Sequence, residues 1–291
     1  MNLVAILSEP FQYSFMITAL GTAIISALAS ALLSCWLVLI GWSLMGDAVS
    51  HAVLPGVVLA YIFGLPFAFG AVIFGFIAVG LIGTIRDTSR IKEDAAIGIV
   101  FTTLFALGLV LVSVTPSHVD LGHILFGNLL GVSPRDLIQV AALGAIVIAV
   151  LLYKRRDLTL FAFDPTHAYA IGLSPRWLSA LMLGLLAITA VVGLQSVGVV
   201  LVVAMLIIPG ATAYLLTDRF STMLVIAPTM SVISAIIGLY FSYYLDTATG
   251  GMIVLTMGII FTGVYLFAPR QGLLGRQLHR QRNHTKALAS A

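Results

Sequence analysis

The sequence contains very little charge. Of its 291 residues, 14 are Lys or Arg and 11 are Asp or Glu, which together make only 9% of the chain. A soluble domain carries roughly 25% charged residues, whereas here 60% of residues are hydrophobic and the mean hydropathy is +1.13. The scarcity of charge excludes a soluble globular protein.

Other features are missing as well. A single cysteine, Cys35, excludes an intrachain disulfide. The segment from Met1 to Gln12 lacks the basic region of a cleaved signal peptide, so we expect the first hydrophobic segment to remain as a span. The sequence has neither a His-Glu-x-x-His nor a Gly-x-Ser-x-Gly motif. Because it also lacks the Gly-x-x-x-x-Gly-Lys-Ser/Thr loop, any ATPase that drives it must be another polypeptide.

Long uncharged windows dominate what is present. Windows without Asp, Glu, Lys or Arg cover residues 10–46, 48–85, 95–119, 177–217, 220–245 and 247–269. Each window is long enough to span a bilayer, which takes about 20 apolar residues. Transmembrane β-strands alternate apolar and polar residues, but these windows are apolar on every face, and only helices then satisfy the backbone in hydrocarbon. The fold class is therefore an all-α polytopic transmembrane helical bundle.

The windows and the turn residues inside them predict about nine spans, with eight as the alternative. Seven spans are expected near 16–40, 45–63, 67–85, 95–115, 136–153, 221–244 and 250–268. The window 177–217 is expected to hold two more, because it should fold back once near residues 193–196. Lys and Arg resist transfer across the membrane and mark cytoplasmic loops. With nine spans, all of the 14 Lys and Arg except Arg135 fall on one side. This distribution predicts an extracytoplasmic N-terminus and a cytoplasmic C-terminus.

The chain thus divides into a membrane domain, residues 1–269, and a basic cytoplasmic tail, residues 270–291. The longest inner loop is 154–176. The net charge of +3 and pI of about 9.1 reflect inner loops rather than nucleic-acid binding. The tail is expected to touch anionic lipid. The resemblance described below implies the bacterial cell (inner) membrane as the location.

One ionisable pair stands near the start of the second span. Asp47 and His51 are four residues apart, which places both on one face of a helix. Ionisable groups inside a bilayer cost at least about 2.5–3.5 kcal/mol, so they suggest function. A carboxylate and an imidazole suit a divalent transition metal, and a symmetric dimer would supply four ligands. The alternative is a self-satisfied Asp–His pair that locks helix packing.

A second polar cluster lies in the outer loop between the fourth and fifth spans. His118 and His123 flank Asp120 and are a possible metal entry point. We favour an ordinary solvated loop here.

Several segments resemble one family. The stretch Ser43–Gly56, which includes Gly-Asp-Ala-Val-Ser-His, closely resembles the signature of permease subunits of bacterial zinc, manganese and iron ABC transporters, of ABC-3 type. Further matches cover residues 93–101, 163–168, 172–175 and 206–213. The chain departs from the family at Gly210, where alanine is common.

The resemblance implies a homodimeric permease with no cofactor of its own. It implies that ATP is bound by a separate cytoplasmic subunit and that an extracytoplasmic metal-binding protein delivers the ion. Asp47 and His51 are then metal ligands on the translocation path, and the inner loop docks the ATPase. In that loop, Asp164-Pro165 is typical of a helix start, and Ala168-x-x-x-Gly172 indicates a short helix that ends at glycine.

The identity of the metal is left open by these donors. Oxygen and nitrogen ligands accept manganese, iron and zinc alike. The segment from His118 to Ser133 is more similar to manganese and iron members, so we favour manganese, then iron, with zinc as the alternative. A chelate importer would not need the ligand pair. An ATPase-independent channel or proton-coupled carrier is a further alternative, whereas no residue constellation supports an intramembrane enzyme.

Overall fold

The regular structure of the described residues is entirely helical. The computed structural model describes residues 9–115, 129–268 and 272. Within them, two short 3-10 turns, Glu9–Gln12 and Leu129–Gly131, accompany twelve α-helices. The helices are α1 Ser14–Ile40, α2 Ser43–Ala52, α3 Leu54–Ile62, α4 Phe67–Thr88, α5 Glu93–Val114, α6 Pro134–Tyr153, α7 Arg155–Phe163, α8 Pro165–Ala170, α9 Pro175–Val197, α10 Val199–Leu216, α11 Phe220–Leu245 and α12 Thr249–Phe267.

Eight of these helical segments are long and apolar enough to cross a membrane. They are α1, the α2–α3 pair, α4, α5, α6, α9, α11 and α12. A further apolar segment, Val200–Leu216 in α10, is shorter. The polytopic all-α architecture is confirmed, while the choice between eight and nine spans and the orientation of the termini stay predictions.

The reversal between α9 and α10 lies later than the sequence suggested. We expected it near residues 193–196, but α9 continues to Val197 and the chain turns at Gly198, with φ 80° and ψ 165°. Glycine adopts positive φ without a Cβ clash. A Cβ added at Gly193 would meet the Val202 side chain, so α9 and α10 approach each other closely on either side of the turn.

Helix α1 occupies the centre of the bundle. It contacts α6, α9, α10 and α11. Ala19, Ala23 and Ala27 follow one another at a four-residue spacing and are fully buried. Small residues of this kind let membrane helices approach closely, which increases van der Waals packing. By contrast, α12 buries only Thr249, Ile253 and Met257 in the single chain.

The second spanning segment is interrupted. Helix α2 ends at Ala52 and α3 starts at Leu54, with Pro55 in its first turn. Proline has no N–H to donate to the His51 carbonyl, and that carbonyl accepts instead from the Val53 N–H. A Cβ added at Gly56 would lie 2.6 Å from the Gly70 carbonyl carbon, so α3 and α4 cross at two glycines.

Candidate functional site

Asp47 and His51 lie side by side on α2. His51 Nε2 is 3.4 Å from Asp47 Oδ1, and the side chains keep 26% and 41% exposure respectively. The four-residue spacing thus brings the two groups together on one helix face, as the sequence indicated. The pair has some access to its surroundings, which a transported ion needs.

Asp47 and His51 lie within ion-pair distance of each other. Their 3.4 Å separation is longer than the usual 2.7–3.2 Å of N–H···O hydrogen bonds. The other ring nitrogen, His51 Nδ1, is buried and lacks a partner within the described part of the chain. Buried polar groups are normally paired. Whether the pair binds an ion or locks helix packing stays a prediction.

Two aromatic rings of α5 hold the imidazole. The His51 ring centroid lies 5.3 Å from that of Phe101 and 5.2 Å from that of Phe105. The two phenylalanines are one helical turn apart and stack on each other at 6.0 Å. Their rings restrict the rotamers of His51. The positioning surface therefore comes from a different helix than the candidate ligands.

The backbone at the site is irregular. His51 is in the last turn of α2, just before the interruption at Val53. Helix α3 begins at the next residue, Leu54, so the partial negative end of α2 meets the partial positive end of α3. The Asp47 carboxylate therefore remains the main source of negative potential beside His51.

Close packing fixes α2 in place. A Cβ added at Gly46 would lie 3.0 Å from Leu206 Cδ1 of α10, which is already a tight approach. The Ser50 hydroxyl donates to the Gly46 carbonyl at 2.7 Å and stays buried. The Gly-Asp-Ala-Val-Ser-His segment therefore combines a packing face, Gly46 and Ser50, with a polar face, Asp47 and His51.

Each chain supplies few metal-ligating groups at this place. Groups of three or more His, Cys, Asp or Glu that could hold a metal are absent from the described residues. The candidate entry residues His118, Asp120 and His123 lie outside the described residues. Their role stays a prediction.

The four residues expected to dock an ATPase build a short helix. Asp164 Oδ1 accepts from the His167 N–H at 2.9 Å, and Pro165 occupies the first turn of α8. Ala168 is fully buried, and Gly172 ends the unit at φ 90°. Asp164, Pro165 and Gly172 are exposed and set the ends of this unit, whereas Ala168 packs it against the bundle.

The exposed side chains of this unit were not singled out from the sequence. Tyr169 and Ile171 are 73% and 57% exposed. The inner loop contains several other apolar residues, such as Leu160 and Phe163, so nothing in the sequence distinguishes this pair. Phe101 and Phe105 were also missed as site residues. The sequence of α5 alone does not show that this helix packs against α2.

Comparison with known proteins places this architecture. The model of the ABC 3 transport family matches residues 12–268. The chain is 50% identical over 275 residues to the manganese transport system membrane protein MntB of Synechocystis sp., which covers 94% of this chain and 90% of that protein. It is 51% identical over 255 residues to a probable iron transport system membrane protein of Haemophilus influenzae, with 88% and 94% covered.

A solved structure agrees with these matches. The structure of PsaBC from Streptococcus pneumoniae in complex with Fab superposes with a TM-score of 0.87 at 38% identity, over 95% of this chain and 100% of that chain. A family model that spans nearly the whole chain, relatives of half-identical sequence and eight apolar helices agree with one another. The chain belongs to the ABC 3 transport family and is a multi-pass membrane permease subunit of an ABC transporter, not an enzyme.

Proposed function

We propose that this permease imports divalent manganese or iron and that Asp47 and His51 are ligands for the ion on its path. The observation that carries the proposal is the pair itself, with His51 Nε2 3.4 Å from Asp47 Oδ1 and both side chains partly exposed on one helix face. Such groups are costly within a membrane and are expected to serve function.

The separation of the two donor atoms suits a shared ion. Metal bonds to imidazole nitrogen and carboxylate oxygen are about 2.0–2.2 Å long. Two ligands on a tetrahedron are then roughly 3.4 Å apart, and neighbouring ligands on an octahedron roughly 3.0 Å. The observed 3.4 Å supports joint coordination with little movement of either side chain.

Two ligands per chain leave the coordination incomplete, which supports a homodimer. A two-fold axis near α2 would bring a second Asp47 and His51 to the ion. Main-chain carbonyls at the end of α2 are further oxygen donors. Weak or few ligands also suit transport, since an ion must leave as well as enter.

The relatives, rather than the donor set, favour manganese and iron. Oxygen and nitrogen ligands suit manganese, iron and zinc, whereas thiolates would favour softer metals. Cys35, the single cysteine, is buried on α1. Relatives named for manganese and iron transport support these two ions. Zinc is the alternative substrate, because imidazole and carboxylate bind it equally well.

We also propose that α8 docks the cytoplasmic ATP-binding subunit. Its exposed Tyr169 and Ile171 form an apolar contact of the kind that fits a groove in a soluble partner. This end of the bundle carries most basic residues and is therefore assigned to the cytoplasm. The metal-binding protein then loads the ion from the opposite side.

Transport would follow from coupling the α8 docking helix to the Asp47–His51 site. The delivered ion exchanges part of its water shell for Asp47 and His51. Closure of the ATPase pair moves α8, which packs on α7 and α9. Helix α9 in turn contacts α2, so the motion reaches the helix that carries the ligands and changes which side is open.

The test is uptake of radioactive manganese, iron and zinc by proteoliposomes that contain the permease, its ATP-binding subunit and its metal-binding protein. We expect Asp47→Asn and His51→Gln to lower manganese and iron uptake at least tenfold while the ATPase still copurifies. Asp246→Asn is the matched control, because Asp246 lies at the end of α11 in a left-handed conformation that asparagine tolerates. Normal uptake by both ligand variants would contradict the proposal.

The same assay separates the alternatives. Uptake that persists without the ATP-binding subunit would indicate a channel or carrier. Uptake of zinc at the expense of manganese and iron would reassign the substrate.

A further inference from the structure

A groove opens between α7 and the start of α11. Its volume is about 510 Å³, within the roughly 300–1,000 Å³ of small-molecule sites. Helix α7 contributes Arg155, Arg156 and Thr159 to the lining, and α11 contributes Phe220 and Ser221. The groove lies on other helices than the Asp47 site.

Helix α7 has two distinct faces. Leu158 and Phe161 are buried and anchor the helix to the bundle. The opposite face, with the two arginines, is exposed and lines the groove. Thr159 links α7 to the central helix α1, because its hydroxyl accepts a hydrogen bond of 3.2 Å from Trp36 Nε1. The groove wall is therefore held by a fixed polar contact.

The positive charge of the groove is uncompensated within the described residues. The one acid on α7, Asp157, is paired with Lys154 at 3.0 Å. Ion pairs to Arg155 and Arg156 are absent from the part of the chain that the structure describes. Helix α11 begins at the groove, with Phe220 and Ser221 in the lining, so the positive end of its dipole lies nearby. The groove thus offers two guanidinium groups and the positive end of a helix to an anion.

The rest of the lining is apolar. Leu160 and Phe163 follow the arginines along α7, and Leu224 lies one turn beyond Phe220 on α11. The Phe163 and Phe220 rings meet edge to face at 6.3 Å. A small inorganic anion gains nothing from contact with this apolar surface. An amphiphile with an anionic head and hydrocarbon chains matches both the arginines and the apolar lining.

The groove also lies at the depth of lipid headgroups. Helix α6 ends at Tyr153 just before α7, and α11 begins at Phe220. Tyr153 and Trp177 are 84% and 54% exposed, and Lys154 Nζ lies 5.6 Å and 5.9 Å from their rings. Tyr and Trp are enriched at the membrane–water interface, together with flanking basic residues.

We propose that the α7–α11 groove is a binding site for an anionic phospholipid, with Arg155 and Arg156 on the phosphate and the apolar lining on the glycerol and acyl region. Basic pockets between helices on the cytoplasmic side recognise anionic headgroups in this way. The proposal needs only the groove and its charges and does not depend on Asp47 or His51.

The test is native mass spectrometry of the purified full-length chain with phosphatidylglycerol or phosphatidylcholine of identical acyl chains. Wild type should retain phosphatidylglycerol in preference to phosphatidylcholine. The ratio of the two retained lipids should be about tenfold lower in the Arg155→Gln/Arg156→Gln variant. Arg90→Gln/Arg176→Gln is the matched control, since both arginines are exposed and lie outside the groove. Ser221→Trp fills the groove, keeps its charge and should also lower retention.

Four results would overturn the proposal. An equal loss in the control pair would indicate general attraction between basic loops and anionic lipid. Unchanged retention in Ser221→Trp would place the lipid elsewhere. Displacement of the lipid by millimolar inorganic phosphate would identify a free-anion site. If wild type shows no lipid preference and the arginine variant fails to bind the ATP-binding subunit, the groove is a protein interface.

Discussion

The backbone N–H of Gly210 on α10 donates a hydrogen bond of 2.8 Å to the side-chain Oγ of Ser34 on the central helix α1. The contact follows Pro209, whose ring cannot continue the helical hydrogen-bond pattern. Ser side chains on neighbouring helices often satisfy backbone groups near prolines in membrane helices. A Cβ at residue 210 would lie 2.8 Å from the Ser34 carbonyl carbon, so the close approach of α10 to α1 requires glycine here.

We therefore expect Gly210→Ala to destabilise the chain by about 1–3 kcal/mol, because the added methyl group must push α10 away from α1. Thermal unfolding of the purified protein in detergent measures this effect. Gly258→Ala on α12 is the matched control, since its Cβ would meet nothing within 4 Å. An equal melting temperature for the two variants would contradict the role of the Ser34 contact.

Rigid placement of His51 leads to a second prediction. Phe105→Leu removes the ring that packs edge-on at 5.2 Å and frees additional imidazole rotamers. We expect manganese uptake to fall about three- to tenfold, less than in His51→Gln, because the ligand remains but spends less time in position. Initial uptake rates in proteoliposomes give the comparison.

Phe69→Leu serves as the control for this variant, since Phe69 is 57% exposed on α4. If Phe105→Leu transports as well as Phe69→Leu, the α5 rings only fill space.

The sequence predicts most of the fold because its determinants are local. Uncharged windows identify the spanning helices, and a four-residue spacing brings Asp47 beside His51. The partners of these residues are not local. Phe105 reaches His51 only because α2 packs on α5, and that pairing depends on tertiary structure. Similarly, Gly193 and Gly198 occur in one apolar window, and either glycine could form the turn. The structure places the turn at Gly198, where φ is positive, and Gly193 instead packs against Val202 of the next helix.

The exposed apolar contact of α8 leads to a third prediction. Tyr169→Ala should leave the melting temperature unchanged, since the side chain is 73% exposed and supports little packing. It should reduce copurification of the ATP-binding subunit about tenfold, because aromatic residues often dominate interface energies. Phe63→Ala is the matched control, with 71% exposure at a loop assigned to the opposite side of the membrane. Loss of the ATPase in both variants would point to general damage.

Direct binding of the ion can be measured without transport. Manganese that binds the folded state alone stabilises it by RT ln(1 + [L]/Kd), or about 2.7 kcal/mol at one hundred times Kd. We expect manganese chloride to raise the melting temperature of the wild-type permease and to leave that of Asp47→Asn unchanged. Magnesium chloride at the same concentration controls for ionic strength, since magnesium prefers oxygen ligands and retains its water. A shift in Asp47→Asn as large as in wild type would show that the ion binds elsewhere, because the variant removes the only carboxylate beside His51 in the described chain.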